Sequence, residues 1–286
     1  MRPRNIALTG VPRGGTTLAC QLLGGCENTV SLFEPMDVAG VPANVERAIG
    51  AIDAFYADMR ERLTREGIGI SKHRGGVVPD NPFDQDREPG MLRLDRTERG
   101  PILVGRQRED FNLVIKHNAM FVALLPDLAA RWPTLAVVRN PLAVLASWNS
   151  VDLPVTRGRL PAGERLDPRL HGLLEETPGR LERQLIILEW FFSRIRDYLA
   201  AESILRYEDI VASHGRSLWA AADLMAPPRL DLRVRNASPV YAESDITRLV
   251  DGLTRAKARD RASWAGWYAD DEIHALATQL LAGAVS

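Results

Sequence analysis

Residues 6–18, Ile6-Ala7-Leu8-Thr9-Gly10-Val11-Pro12-Arg13-Gly14-Gly15-Thr16-Thr17-Leu18, run from a short apolar strand through a glycine-bearing loop into an apolar helix. That order is the design of a phosphate-binding loop. Backbone N–H groups and the helix N-terminus present about half a positive charge to an anion. Gly10 and Gly15 have the separation of the pattern G-x-x-x-x-G-K-[ST], and Thr17 stands at its Ser/Thr position. Thr16 stands where the lysine that reaches the β- and γ-phosphates would be. The loop therefore keeps its fixed donors and loses that side chain, while Arg13 offers charge from another angle. The expected ligand is an anionic nucleotide other than a magnesium-bound triphosphate.

Around this loop, the apolar runs 29–33, 113–116, 135–138 and 204–207 read, with 6–9, as short buried strands. Segments 17–23, 43–65, 121–132, 142–148, 181–199, 217–225 and 270–281 have helical spacing. Strands alternating with helices predict an α/β fold, a three-layer α/β/α arrangement with a central parallel sheet and helical insertions. No Gly-, Ser- or Pro-rich tract divides the 286 residues, so a single domain over 1–286 is expected. Segments 67–101 and 152–179 are polar and resist assignment. Loops of that length are expected to be either lids over an acceptor site or disordered.

Apolar residues make up 45% of the chain and charged residues 26%, as in an ordinary globular protein. The formal net charge of −1 gives no global attraction to nucleic acid, so an anion site must be a local cluster. Lys72, Lys116 and Lys257 are the only lysines, which makes a lysine at a strand end conspicuous. Cys20 and Cys26 suggest neither a disulfide framework nor a zinc site. No apolar run reaches membrane-spanning length, and the first strand begins at once, so a cytoplasmic location without a signal peptide is expected. A homodimer is left open.

The strand ends are basic where an ATPase would carry an aspartate for magnesium. The run 113–115 ends in Lys116-His117, and 135–138 ends in Arg139-Asn140; only Glu208 and Asp209 follow a strand. Two basic strand ends suit a second fixed anion better than a metal, so no metal is expected. The same residues have plainer readings as surface ion pairs, an ordinary helix serine at Ser147 and a buried tyrosine at Tyr207.

Val11-Pro12-Arg13-Gly14-Gly15-Thr16-Thr17 resembles the 5′-phosphosulfate loop of the PAPS-dependent sulfotransferases (PAPS, 3′-phosphoadenosine 5′-phosphosulfate). Residues 138–148, with Arg139 and Ser147 eight positions apart, resemble that family's 3′-phosphate motif. Leu205-Arg206-Tyr207-Glu208-Asp209-Ile210 resembles a later motif whose tyrosine lies near the adenine. Phe33-Glu34-Pro35 is similar to the F-E-P of carbohydrate-type and several bacterial members. The matches follow the family order over roughly residues 5 to 210. Residues 259–264 are the nearest counterpart of the family's glycine-flanked basic loop, and they lack the glycine.

The resemblance implies transfer of a sulfuryl group from PAPS to a hydroxyl or amine of a carbohydrate or small natural-product acceptor, releasing adenosine 3′,5′-bisphosphate. It implies that Pro12, Arg13, Gly14, Gly15, Thr16 and Thr17 hold the 5′ end. Arg139 and Ser147 would hold the 3′-phosphate, with Arg259 and Arg261 closing over it and Tyr207 near the adenine. Glu34 is the first choice of general base, since Pro35 disfavours a helix after it and predicts an extended exit. His117 is the second choice. The family's cytosolic members place a histidine two residues after the strand-end lysine, where this chain has Asn118, and a one-residue shift turns the side chain to the opposite face. Lys116 matches the lysine that contacts the bridging oxygen. The competing readings are a kinase or nucleoside triphosphatase with an altered loop, and a nucleotide-binding protein without turnover.

Overall fold

The strand that opens the chain, β1 (Asn5–Gly10), is buried on both faces and lies in the middle of a parallel sheet. The structure is a computed structural model that describes residues 4–84, 91–227, 231–238, 241 and 245–283. From β1 the chain enters α1 (Thr16–Gly24), β2 (Thr29–Phe33) and the long helix α2 (Val45–Arg65), whose N-terminus is capped by the Asn44 side chain. An antiparallel pair follows, β3 (Ile68–His73) with β4 (Glu98–Leu103). Next come β5 (Asn112–Lys116), α3 (Ala119–Ala123), α4 (Leu125–Arg131), β6 (Thr134–Val138) and α5 (Pro141–Trp148). Then α6 (Pro161–Leu166), α7 (Pro168–Glu176) and α8 (Arg180–Tyr198) lead to β7 (Ile204–Arg206). Finally α9 (Tyr207–Ala212), α10 (Arg216–Ala221), α11 (Ile246–Ala258) and α12 (Asp270–Gly283) complete the described chain.

The parallel sheet has the order β2-β5-β1-β6-β7. Successive residues of each strand serve opposite faces. Ile6, Leu8, Val114, Leu135 and Val137 pack with α1, α9 and α10, whereas Ala7, Leu113, Ile115, Ala136 and Val138 pack with α2, α5, α8, α11 and α12. Burial on both faces explains why these strands read as continuous apolar runs rather than alternating ones. The expected three-layer α/β/α architecture is therefore observed. Among the described residues, no helix is long and apolar enough to cross a membrane.

Several sequence expectations need correction. Segment 67–101 contains β3 and most of β4, and residues 85–90 lie outside the described residues. Segment 152–179 contains a 3₁₀ turn at Pro154–Arg157, α6 and α7, so it too is ordered secondary structure. The expected helix 121–132 is broken between α3 and α4, because Pro126 has no N–H to continue the ladder. Tyr207 opens α9 instead of closing β7. Glu34 is not extended before Pro35; its φ is +42°.

Register brings the functional ends together. Phe33 is opposite Lys116, Leu8 is opposite both Lys116 and Leu135, and Val138 is opposite Arg206. The residues that follow these C-terminal ends therefore share one edge of the sheet, the usual location of a ligand crevice in an open α/β sheet.

Candidate functional site

A cavity of about 540 Å³ opens along that edge. Its lining includes Pro12, Arg13, Gly15, Thr16 and Thr17 of the glycine loop and, with them, Glu34, Lys72, Lys116 and Asn118.

The loop that lines the cavity is shaped by glycine. Gly10 has φ +140°, and a Cβ there would lie 2.1 Å from the Val137 carbonyl oxygen. Gly15, at φ +92°, lies against Tyr207, where a Cβ would stand 2.5 Å from Cδ2. Only glycine lets the loop approach β6 and the tyrosine ring this closely. Helix α1 then begins without a side-chain cap, and Gly15, Thr16, Thr17 and Leu18 line the cavity. Uncapped N–H groups at a helix start need an acceptor, and an anion satisfies them.

Arg13, with φ +65°, turns its side chain away from its own loop. Its Nε donates to Ser147 Oγ at 3.1 Å, one Nη donates to Asn81 Oδ1 at 3.2 Å, and the guanidinium lies 4.5 Å above the Phe83 ring. Burial lowers its pKa to about 10, so it remains cationic at neutral pH. Arg139 is buried and tied in place. It donates to the Arg13 carbonyl at 2.9 Å, to Asn236 Oδ1 at 2.8 Å and to the Arg235 carbonyl at 2.7 Å, with its guanidinium 4.9 Å from the Tyr207 ring. Arg139 thus joins the glycine loop to segment 231–238. That segment is fixed further by Tyr207, whose hydroxyl accepts from the Arg235 N–H at 3.2 Å. Glu208 holds it from below, accepting from Asn236 Nδ2 at 2.7 Å and from the Asn140 N–H at 3.1 Å.

Elsewhere in the lining, the Glu34 carboxylate lies between two ammonium groups. Lys116 Nζ is 2.7 Å from Oε1 and Lys72 Nζ is 3.0 Å from Oε2. The Glu34 backbone is pinned as well. Its N–H donates to the Lys116 carbonyl at 2.9 Å, and its carbonyl accepts from Arg99 Nε at 3.1 Å. These contacts hold the left-handed conformation that an isolated glutamate would avoid. Burial alone would raise the Glu34 pKa, but Lys116 and then Lys72 outweigh it and hold the carboxyl far below the usual range. Burial also pulls Lys116 down, against the opposing pull of Glu34.

The sequence-predicted residues divide clearly. Pro12, Arg13, Gly15, Thr16, Thr17, Glu34, Lys116, Arg139 and Tyr207 line the cavity. Gly14 lies beneath it, turned by its N–H to the Val11 carbonyl at 2.8 Å. Ser147 is buried behind Arg13 and reaches the cavity through that side chain. His117 is buried elsewhere. Its Nε2 accepts from the Met36 N–H at 3.3 Å, its ring packs 5.3 Å from Phe121, and burial pushes its pKa down to about 3. The neighbouring Asn118 lines the cavity in its place, with a buried Oδ1 that has no hydrogen-bond partner. Arg259 and Arg261 are exposed beyond the end of α11 and are not among the residues lining the cavity.

Sequence reasoning missed Lys72, Arg93, Asp95, Arg233, Arg235 and Tyr241, all of which line the cavity. The signals were faint: Lys72 is one of three lysines, and Arg233 and Arg235 flank a single valine. Compared with known protein families and with curated protein sequences, the chain matches none of them.

Proposed function

We propose that this chain is a sulfotransferase that moves a sulfuryl group from PAPS to a hydroxyl or amine of a small polar acceptor such as a carbohydrate. The observation that carries this reading is one cavity lined by two chemically different groups of residues. The uncapped start of α1, Arg13 and Arg139 line it, and so does Glu34, which is paired with Lys116. The resemblance of residues 11–17 and 138–148 to the PAPS-dependent sulfotransferases supports the same assignment.

PAPS supplies the sulfuryl group, and the protein's residues bind, orient and move a proton. The N–H groups at the start of α1, with Arg13, would hold the 5′ end. The 3′-phosphate would meet the cluster around Arg139, with Arg233 and Arg235 doing what the sequence assigned to Arg259 and Arg261. As the bond from sulfur to the bridging oxygen breaks, Lys116 would neutralise the oxygen left on the nucleotide. The acceptor oxygen or nitrogen forms the new bond to sulfur, and its proton passes to Glu34. As Lys116 turns to the departing oxygen, Glu34 loses one of its two ammonium partners and becomes a stronger base at that moment.

The cavity lining favours a polar acceptor. Phe33 carries Lys116 over its ring at 4.7 Å, and Phe83 carries Arg13 at 4.5 Å. Asp80, Asn81, Arg93 and Asp95 supply hydrogen-bonding groups beside them.

Calorimetry tests the donor assignment. Adenosine 3′,5′-bisphosphate is expected to bind tightly without magnesium, and ATP weakly. A preference for magnesium-ATP would reject the reading in favour of a triphosphate enzyme. Labelled PAPS with a panel of sugars, amino sugars and phenols then tests transfer and identifies the acceptor.

A further inference from the structure

The two lysines on Glu34 differ in what else they can pair with. Lys116 lies on β5, its side chain is 2% exposed, and its carboxylate partner among the described residues is Glu34. Lys72 lies on β3, its side chain is 23% exposed, and its Nζ is 3.0 Å from Glu34 Oε2 and 3.4 Å from Asp95 Oδ2. Asp95 is held ready for this contact. Its other oxygen accepts from the Thr97 N–H at 2.8 Å and from Thr97 Oγ at 2.6 Å. The Lys72–Asp95 pair therefore belongs to the hairpin arm that packs beside β2, outside the central sheet.

The other charged and titratable groups around Glu34 are committed elsewhere. His117, just past β5, accepts from Met36, and Arg99 on β4 donates to the Glu34 backbone and lies 3.8 Å from Asp37. The Cys20 thiol on α1 contacts Ser31 at 3.0 Å, and burial pushes its pKa up to about 11. Lys72 is thus the cation on Glu34 that has a second carboxylate within reach.

We propose that Lys72 is a positioning residue for Glu34, holding its Oε2 and setting the pH at which it accepts a proton, while Asp95 shares the Lys72 charge so that the hold can be released. With both ammonium groups in place, the Glu34 carboxylate is oriented but is a very weak base. Movement of Lys72 from Glu34 toward Asp95 frees an Oε2 lone pair at the cavity, where an acceptor proton would arrive. The charge stays paired throughout, so the motion buries no isolated ion. The inference rests on the sulfuryl-transfer reading for its catalytic meaning, but not for its electrostatics.

The test follows the Glu34 side-chain carboxyl by ¹³C NMR across the acid range in the wild type, Lys72→Met, Lys72→Arg and Asp95→Asn. Removing the ammonium is expected to raise the Glu34 pKa by about one unit or more, and Lys72→Arg to keep it low. With PAPS and an acceptor, the acid limb of kcat/KM should move to higher pH in Lys72→Met. In Asp95→Asn, kcat should fall while the donor KM holds, because Lys72 loses its alternative partner. Lys72→Gln replaces the methionine variant if that protein does not fold. A Glu34 titration that is the same with and without the Lys72 charge overturns the proposal. A shifted titration in a protein that prefers magnesium-ATP to adenosine 3′,5′-bisphosphate keeps the Lys72 hold on Glu34 and rejects the donor assignment instead.

Discussion

The Arg13 guanidinium donates to the Ser147 hydroxyl across 3.1 Å, although the two residues are 134 positions apart. The carbonyl of the same arginine accepts from Arg139 at 2.9 Å. Two contacts from the β6–α5 unit thus fix one residue of the glycine loop, and Arg139 and Ser147 meet through Arg13. Ser147→Ala leaves the Arg13 Nε donor without that acceptor, at a cost of about 1–3 kcal/mol. The expected result is a roughly tenfold loss of affinity for adenosine 3′,5′-bisphosphate, measured by calorimetry, with the fold intact by circular dichroism. Unchanged affinity would mean that the Ser147 contact does not orient Arg13 for the ligand.

Gly15→Ala should be costly for two reasons. The backbone sits at φ +92°, and the new Cβ would meet Tyr207 Cδ2 at 2.5 Å. Tyr207 cannot easily retreat, because its hydroxyl is bonded to the Arg235 N–H. Urea unfolding is expected to show a loss of about 1–3 kcal/mol. Gly25→Ala is the control. That glycine has φ −82°, and its Cβ would come no closer than 3.5 Å to the Leu22 carbonyl oxygen. Equal losses for the two substitutions would remove the argument from close approach.

The central strands and the glycine loop were legible because burial on both faces writes uninterrupted apolar runs that end at the site. Glu34, Lys116 and Arg139 were legible for the same reason, as polar residues that terminate such runs. The hairpin β3–β4 was not, since the buried positions of β3 are Gly69, Ser71 and His73 and its two strands are separated by a long connection. Helix α11 was missed although Ile246, Leu249 and Leu253 recur at helical spacing on its buried face. Arg233, Arg235 and Tyr241 come from a segment without helical or strand periodicity. Tertiary contacts with Arg139, Tyr207 and Glu208 bring it to the cavity. His117 follows the spacing argument: the shift of one residue leaves it in the core, and Asn118 lines the cavity.

Tyr241 predicts a pH dependence for anion binding. Burial would push its phenol up, but Arg139 and then Arg13 overcome this and bring it down to about 8. Above that pH a phenolate forms beside the two guanidinium groups and competes with an incoming phosphate. Affinity for adenosine 3′,5′-bisphosphate should therefore weaken as pH rises through about 8. By linkage, the bound anion should raise the phenol pKa. Calorimetry across this range, compared with Tyr241→Phe, checks the sign. The phenylalanine variant should lose the dependence, and an identical slope in both proteins would assign it to another group.

The Glu34–Lys116 pair makes a prediction about stability that must be separated from its catalytic role. Lys116 is almost fully buried, so Glu34→Gln leaves an ammonium without its counter-charge beneath β2 and β5. The expected cost is about 3 kcal/mol in urea unfolding near neutral pH. Adding Lys116→Met to that variant should recover part of the loss, because it removes the uncompensated charge and leaves a side chain of similar length. The pH sign follows from the depressed carboxyl. The stabilisation from Glu34 is fully present above the ordinary glutamate pKa of about 4.3, and it fades as pH falls below that value toward the folded-state pKa. Wild-type stability should therefore decline on the acid side more steeply than that of the double variant. If the two substitutions add independently, the ion pair is not what fastens the ends of β2 and β5, and loss of transfer in Glu34→Gln can be read directly as loss of the base.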